Sequence, residues 1–328
     1  MNCSAAHKQE FIVFGKQARM YKYFSLIKLL KVTRPQFLIG GLVLFLLGAL
    51  WAVLLGAVFS PLLFLLGYLV VLACQLSVHF SNDYFDVDSD RPGGATLISG
   101  GAGVLPEHPE LRAPARRIAV GLILFSLGMG AVLIQMYSYP FSMMGFVALG
   151  NLLGWCYSAP PLRLSYRGLG ELCYTFVGGF LVPSMGYMVM RGKLDLYGIF
   201  FIVPLMLYGL VSLLSVEIPD FEDDRLANKR NLVARGGRSF GFTMAGLLLL
   251  TATVYFFVFP HFCQQHIPAD LRVFGLFSLL PLAVGILGMV KRPHARQPAT
   301  KIAIGIIAAL VVFGVFVNSY LFYLILIN

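Results

Sequence analysis

Charge is scarce in this chain. Asp, Glu, Lys and Arg together make 12% of 328 residues, only 15 residues are acidic and 58% are apolar. With a mean hydropathy of +0.80, a soluble domain of this length is excluded, because so few polar groups could not cover a folded surface. Cysteine is sparse too. Cys3, Cys74, Cys156, Cys173 and Cys263 show no paired spacing, which argues against a disulfide scaffold, a zinc site or a redox pair and leaves small apolar packing residues. The stretch 1–36 has no long apolar core and carries seven cations, so it reads neither as a cleavable leader nor as a lipid-attachment signal.

What the chain does have is apolar length. Segments 37–58, 61–82, 116–137, 140–157, 169–190, 196–217, 240–261, 271–290 and 302–327 are each long enough to cross about 30 Å of hydrocarbon. The expected fold is therefore all-α, a polytopic membrane bundle of nine transmembrane helices over residues 37–328, preceded by an arm at 1–36. Within the arm, Met20 to Arg34 sets Phe24, Ile27 and Leu30 against Lys22, Lys28 and Lys31, the pattern of an interfacial helix. The net charge of +10 follows topology. Of 25 Lys and Arg residues, all but Arg191, Lys193 and Arg272 fall on one side of the nine-helix map, which puts the N-terminus in the cytoplasm and the C-terminus outside. A bacterial or archaeal cell membrane is the expected location, and nucleic acid is not an expected partner.

The few acids are not spread out. Nine of the 15 lie in NDYFDVDSD, Asn82 to Asp90, and EIPDFEDD, Glu217 to Asp224, each at the polar end of a long apolar segment and both, on this topology, on the cytoplasmic face. Asn82, Asp86 and Asp90 recur every four residues, which stacks three oxygen ligands along one helical stripe. Asp220 and Asp224 repeat that spacing, with Glu217, Glu222 and Asp223 flanking them; Asp83 and Asp88 lie off the first stripe. Two facing carboxylate stripes suit Mg²⁺, which takes a few carboxylates, keeps waters and shares phosphate oxygens. The competing reading, solvated acids balancing nearby Arg, suits one such cluster better than two. An EF-hand is excluded by Arg91 and Leu97 where the loop needs Gly and Glu. An ion-coupled transporter would place its acids near the bilayer midplane.

The loop 83–115 is rich in Gly and Pro and long enough to be a functional lid. Its SGGAGV, Ser99 to Val104, reads as a flexible lid or as backbone able to approach phosphate. Cations on the same face that could bind a diphosphate are Arg34, Arg163, Arg167, Lys229, Arg230 and Arg235. His79, three residues before Asn82, reads as a packing histidine, with an acid or base role as the alternative.

These residues resemble the UbiA-type integral membrane prenyltransferases. NDYFDVDSD looks like the family's NxxxDxxxD motif and DFEDD like its second DxxxD motif, while YSAPPLRLSYRGLGE, Tyr157 to Glu171, and EIPDFEDDRLANKRNLVARGG are similar to the 1,4-dihydroxy-2-naphthoate polyprenyltransferase branch of menaquinone synthesis. The likeness runs from about Arg34 to the C-terminus. It implies a helical bundle open sideways to lipid, in which Asn82, Asp86, Asp90, Asp220 and Asp224 are catalytic, with the four aspartates as Mg²⁺ ligands, and Arg34, Tyr157, Arg163, Lys229 and Arg235 bind substrate. The implied partners are a polyprenyl diphosphate, an aromatic acceptor and the bilayer. Acceptors elsewhere in the family are 4-hydroxybenzoate, a glyceryl phosphate lipid and a haem precursor. Two departures stand out. Where the hydroxybenzoate branch carries YxxxK, Tyr157 is followed by Pro161, with Arg163 the nearest cation; and Asn228 stands before Lys229 where relatives commonly have Gly, a residue that still tolerates a left-handed turn.

Overall fold

The computed structural model describes residues 27–90, 96–98, 101–262 and 268–327. Within them the chain is helical, with no strand, as expected where lipid offers backbone groups no partner. The long helices are α1 Pro35–Leu54, α2 Pro61–Asp86, α3 Arg112–Tyr137, α4 Ser142–Ser158, α5 Gly170–Arg191, α6 Leu196–Leu226, α7 Leu232–Phe262, α8 Leu271–Lys291 and α9 Arg296–Ile327. Eight of the nine are long and apolar enough to cross a membrane. The exception is α4, whose 17 residues rise about 26 Å; the ninth expected span is thus a short one. The expected interfacial helix at 20–34 is helical over 27–32, and its earlier half lies outside the described residues.

Some helices outrun their apolar segments. α2 and α6 continue to Asp86 and Leu226, and α9 begins at Arg296 rather than near 302, because hydropathy marks the bilayer and not the end of the helix. α7 starts at Leu232 but breaks at Gly237, φ 83 and ψ 169, so its continuous helix begins close to the expected 240. The acid motifs are consequently presented on helices. The loop 220–239, charged throughout, shrinks to a turn at 227–231 and a break at Gly237.

Each helix packs on its successor from α1 to α9, and α9 returns to α1, so the bundle closes around a central space. α1 also crosses α5, and glycine makes that crossing close. A Cβ on Gly48 would lie 1.9 Å from the Pro183 carbonyl oxygen, and one on Gly186 would lie 2.0 Å from that of Phe45. Such small-residue contacts are how membrane helices gain packing without a hydrophobic drive between them. Within α5, Thr175–Leu181 is wound as a π-helix, and a Cβ on its Gly179 would stand 2.6 Å from Met206 Cα of α6.

The loop between α2 and α3 is not structureless. Val104–Glu107 and Pro109–Leu111 form short helical turns, and Val104, Leu105 and Leu111 pack with Val32, Phe80 and Val87 in a second apolar cluster. This ties the loop across one end of the bundle. Substituting Gly186→Val should cost about 3 kcal/mol by overpacking and lower the thermal midpoint in detergent. Gly121→Ala, where an added Cβ meets nothing within 4 Å, should leave the midpoint unchanged or slightly raised.

Candidate active site

The bundle encloses a cavity of about 410 Å³, within the usual range for ligand pockets. Its walls are largely apolar, and both acid clusters meet at its head. Asn82, Asp86, Asp90, Asp220 and Asp224 all line it, with Arg34, Tyr157 and Lys229. On α2 the lining residues Gln75, His79, Asn82 and Asp86 recur at steps of four, three and four, which is one face of a helix. The stripe passes the helix end, since the Asp90 amide still donates to the Asp86 carbonyl at 2.8 Å. On α6, Asp220 and Asp224 share a face although Pro219 lies inside the helix.

Each acid has a distinct set of partners. Asp86 Oδ1 accepts from the Tyr166 hydroxyl at 2.9 Å, and its Oδ2 from Ser158 Oγ at 3.2 Å. Lys229 Nζ stands 3.1 Å from Asp224 Oδ1 and 3.9 Å from Asp86 Oδ2, so this one ammonium bridges the two motifs. Asn231 Nδ2 donates to Asp224 Oδ2 at 2.6 Å. Arg296 reaches Asp220 at 3.7 Å and Asp223 at 3.2 Å. Glu222 turns away to Arg238, and Asp88, 85% exposed, faces Arg112.

Asp83, expected off the stripe, is buried and bonded to Arg34, and its Oδ2 accepts the Ala102 amide at 3.2 Å. Gly101 next to it has φ 68, and a Cβ there would lie 2.2 Å from Asp90 Oδ2. The glycine-rich loop therefore lies directly on the carboxylates. Its Ser99 and Gly100 fall outside the described residues.

Lys229 owes its position to a tight turn. Asn228 sits at φ 55 and the Lys229 amide donates to the Asp224 carbonyl at 2.9 Å, so Asn fills the left-handed place that Gly would take. Beyond it the first amides of α7 are capped by side chains: Leu232 N–H donates to the distant Glu171, and Ala234 N–H to Asn231 Oδ1, just before the helix, at 2.6 Å. Burial works against the Lys229 ammonium, but Asp224 and Asp86 outweigh it and hold its pKa well above the ordinary lysine value. For Asp90 burial comes first and Asp86 second, and together they push its carboxyl up to about 6.

Two expected substrate contacts are not on the cavity wall. Arg163, half-buried, stacks on the Tyr166 ring at 3.9 Å, and Arg235 is exposed on the first turn of α7. Arg163 packs against an aromatic ring beside the cavity, and the first turn of α7 carries Arg235 to the surface. Lys229 Nζ, 5.4 Å from the same Tyr166 ring, is the cation at this corner. His79 lines the cavity with its Nδ1 bonded to the Thr33 carbonyl at 2.7 Å. Tyr166 was not singled out from sequence, although it lies in the quoted stretch Tyr157 to Glu171.

Among the described residues no three His, Cys, Asp or Glu side chains converge as a ready-made metal cage. The residues nonetheless fit Mg²⁺. The Asn82 side-chain oxygen is buried with no hydrogen-bond partner, burial and the neighbouring Asp86 push the Asp90 carboxyl up to about 6, and Mg²⁺ needs only one or two carboxylates when phosphate and water complete its shell.

Residues 41–302 match the UbiA prenyltransferase family. The chain is 24% identical over 195 residues to 1,4-dihydroxy-2-naphthoate octaprenyltransferase of Bacillus subtilis, covering 59% of this chain and 61% of that protein. It is 25% identical over 244 residues to 2-carboxy-1,4-naphthoquinone phytyltransferase of Synechocystis, covering 71% of each. The fold is that of a UbiA homolog from Archaeoglobus fulgidus bound to GPP and Mg²⁺, with a TM-score of 0.63 at 15% identity, over 89% of this chain and 99% of that one. With the family pattern spanning most of its length and both acid motifs heading one cavity, the chain belongs to the UbiA prenyltransferase family.

Proposed function

We propose that this protein transfers a polyprenyl group from its diphosphate to an aromatic ring, with Mg²⁺ as cofactor and 1,4-dihydroxy-2-naphthoate as acceptor, in menaquinone synthesis. The observation that carries the reading is the charge at the cavity head. Among the described residues, six aspartates, Asp83, Asp86, Asp90, Asp220, Asp223 and Asp224, line it against two cations, Arg34 and Lys229. That excess calls for multivalent positive charge, and a polyanionic substrate is what would share it. The acceptor is supported by the names of the Bacillus and Synechocystis relatives. The excess of Lys and Arg on one face of the helix map supports a cytoplasmic position for the acid end.

In this mechanism Asn82, Asp86, Asp90, Asp220 and Asp224 would hold the metal and the diphosphate. Bound Mg²⁺ supplies Lewis-acid neutralisation of the charge that grows on the departing diphosphate. Lys229 and Arg34 add fixed positive charge at the same end, in a medium where its effect is stronger than in water. Tyr166 and Ser158 orient Asp86 through both of its oxygens, and Asn231 does the same for Asp224. Below them the apolar wall lodges the isoprenoid and excludes water, which would otherwise capture the allylic carbon once the C–O bond to diphosphate opens. The electron-rich ring then forms the new C–C bond; with the naphthoate acceptor the carboxyl leaves as carbon dioxide.

Asp86→Ala and Asp220→Ala should each lower turnover by more than about 100-fold while the protein still purifies as a folded species, read by product mass from a set of prenyl diphosphates and aromatic acids; near-normal activity in either purified variant would sink the metal role. Tyr166→Phe removes the hydroxyl from Asp86 and Ser89. It should weaken apparent Mg²⁺ affinity about 10- to 100-fold, seen in Mn²⁺ binding by electron paramagnetic resonance, with little change in acceptor KM. Lys229→Met should raise the KM for the prenyl diphosphate and leave Mn²⁺ binding intact or tighter, because the ammonium competes for the same two carboxylates.

A further inference from the structure

Two amide side chains line the cavity well away from its acids. Gln75 on α2 and Asn151 on α4 both face it, and the side-chain oxygen of each is buried with no hydrogen-bond partner. Asn151 is 4% exposed, and its orientation is fixed by its other end. Asn151 Nδ2 donates to the Val147 carbonyl at 2.9 Å and to Ser126 Oγ at 3.0 Å, and Ser126 passes its own proton to the Val70 carbonyl at 2.9 Å. Turning the amide over would set oxygen against a carbonyl, so the free acceptor is the oxygen. Gln75 lies over Gly41 of α1, where an added Cβ would come within 2.1 Å of its Nε2; the glycine leaves room for the amide.

The two amides stand at one depth. A Cβ added at Gly150 would meet Cys74, and one at Gly154 would meet Val78, so α4 runs beside α2 in a register that sets Asn151 level with Gln75. Seven residues separate Gln75 from Asn82, about 10 Å along the helix and nearly on the same face. A buried carbonyl oxygen without a donor is costly, and an isoprenoid chain has no donor to offer. At this level the cavity is therefore built for something other than hydrocarbon.

The geometry points to Gln75 and Asn151 as a recognition site for a ring-borne hydroxyl: the amide oxygens accept O–H donors of a hydroxylated aromatic acceptor and fix which ring face meets the prenyl carbon. This inference rests on the prenyl-transfer reading and adds the chemistry that selects the acceptor. A site that accepts a substrate hydroxyl discriminates strongly against analogues lacking it, because its own polar groups are then left bare.

The test uses 1,4-dihydroxynaphthalene, 1-naphthol and naphthalene as competitors of the aromatic acceptor, under nitrogen, with the full chain in detergent. In the wild type the inhibition constant should rise about tenfold for each hydroxyl removed. Gln75→Leu, which removes no hydrogen bond the structure shows, and Asn151→Leu should each flatten one step of that series while leaving the KM for prenyl diphosphate and Mn²⁺ binding unchanged. Inhibition constants that ignore hydroxyl number in the wild type, or that keep both steps in both variants, overturn the inference. The wild-type series alone decides the matter if a variant does not fold. If the wild type prenylates no aromatic acid, the proposed function has failed, which is a different outcome from an active enzyme indifferent to hydroxyls.

Discussion

Electrostatic repulsion among carboxylates in a poorly screened space governs this structure. The acids of two separate helices are brought to one cavity head, where each like charge raises the cost of ionising its neighbours. Among the described residues, the nearby cations are spent on that problem. Lys229 spans the two motifs, Arg34 is tied to Asp83 and Arg296 covers the outer side of Asp220 and Asp223. The remaining imbalance shows in Asp90, which burial and Asp86 hold near 6. A divalent ion is the economical remedy, since it adds two charges without adding the volume of two side chains.

The rest of the bundle can be understood as scaffolding for that arrangement. α2 and α6 run beyond their apolar segments, which carries the acids clear of hydrocarbon. The turn between α6 and α7 is short and pinned at both ends, by the left-handed Asn228 and by Glu171 on the Leu232 amide. Arg238, only 5% exposed, donates to the Ile218 carbonyl and to Glu222, and so fastens α7 to the same helix that bears Asp220 and Asp224. The α2–α3 loop is held over the acids by its own small apolar cluster.

Much of this was legible in the sequence. The spans followed from hydropathy because lipid leaves the backbone no choice but helix, and Asn82, Asp86, Asp90, Asp220 and Asp224 were picked out by a four-residue spacing that their helices do bring to one cavity. What escaped has physical reasons as well. Arg163 and Arg235 were credited for standing near motifs, but one-dimensional proximity does not say which residues reach the cavity wall. Asp83 was set aside because it is off the helical stripe; its importance comes from Arg34 and Ala102, partners 49 and 19 positions away. Tyr166 and Asn151 carry no periodic signal, and Gln75, though on the α2 stripe, has no charge to mark it. Their significance lies in which atoms lack or find a partner, and that appears only in three dimensions.

The π-wound segment Thr175–Leu181 acts on the bundle as a phase shifter. Before it, Glu171 and Tyr174 must face α7 and the cavity; after it, Gly186 must face Phe45 of α1. An α-helix advances by about 100° per residue, and a π-turn accommodates one residue more than an α-turn. α5 can thus answer to two neighbours whose angular demands differ. Wound as regular α-helix without loss of a residue, the segment would rotate one set against the other by about 100°. The cavity and the glycine crossing could then no longer be satisfied by the same helix, so the winding of this segment is as much a specification of the site as the identity of any residue in it.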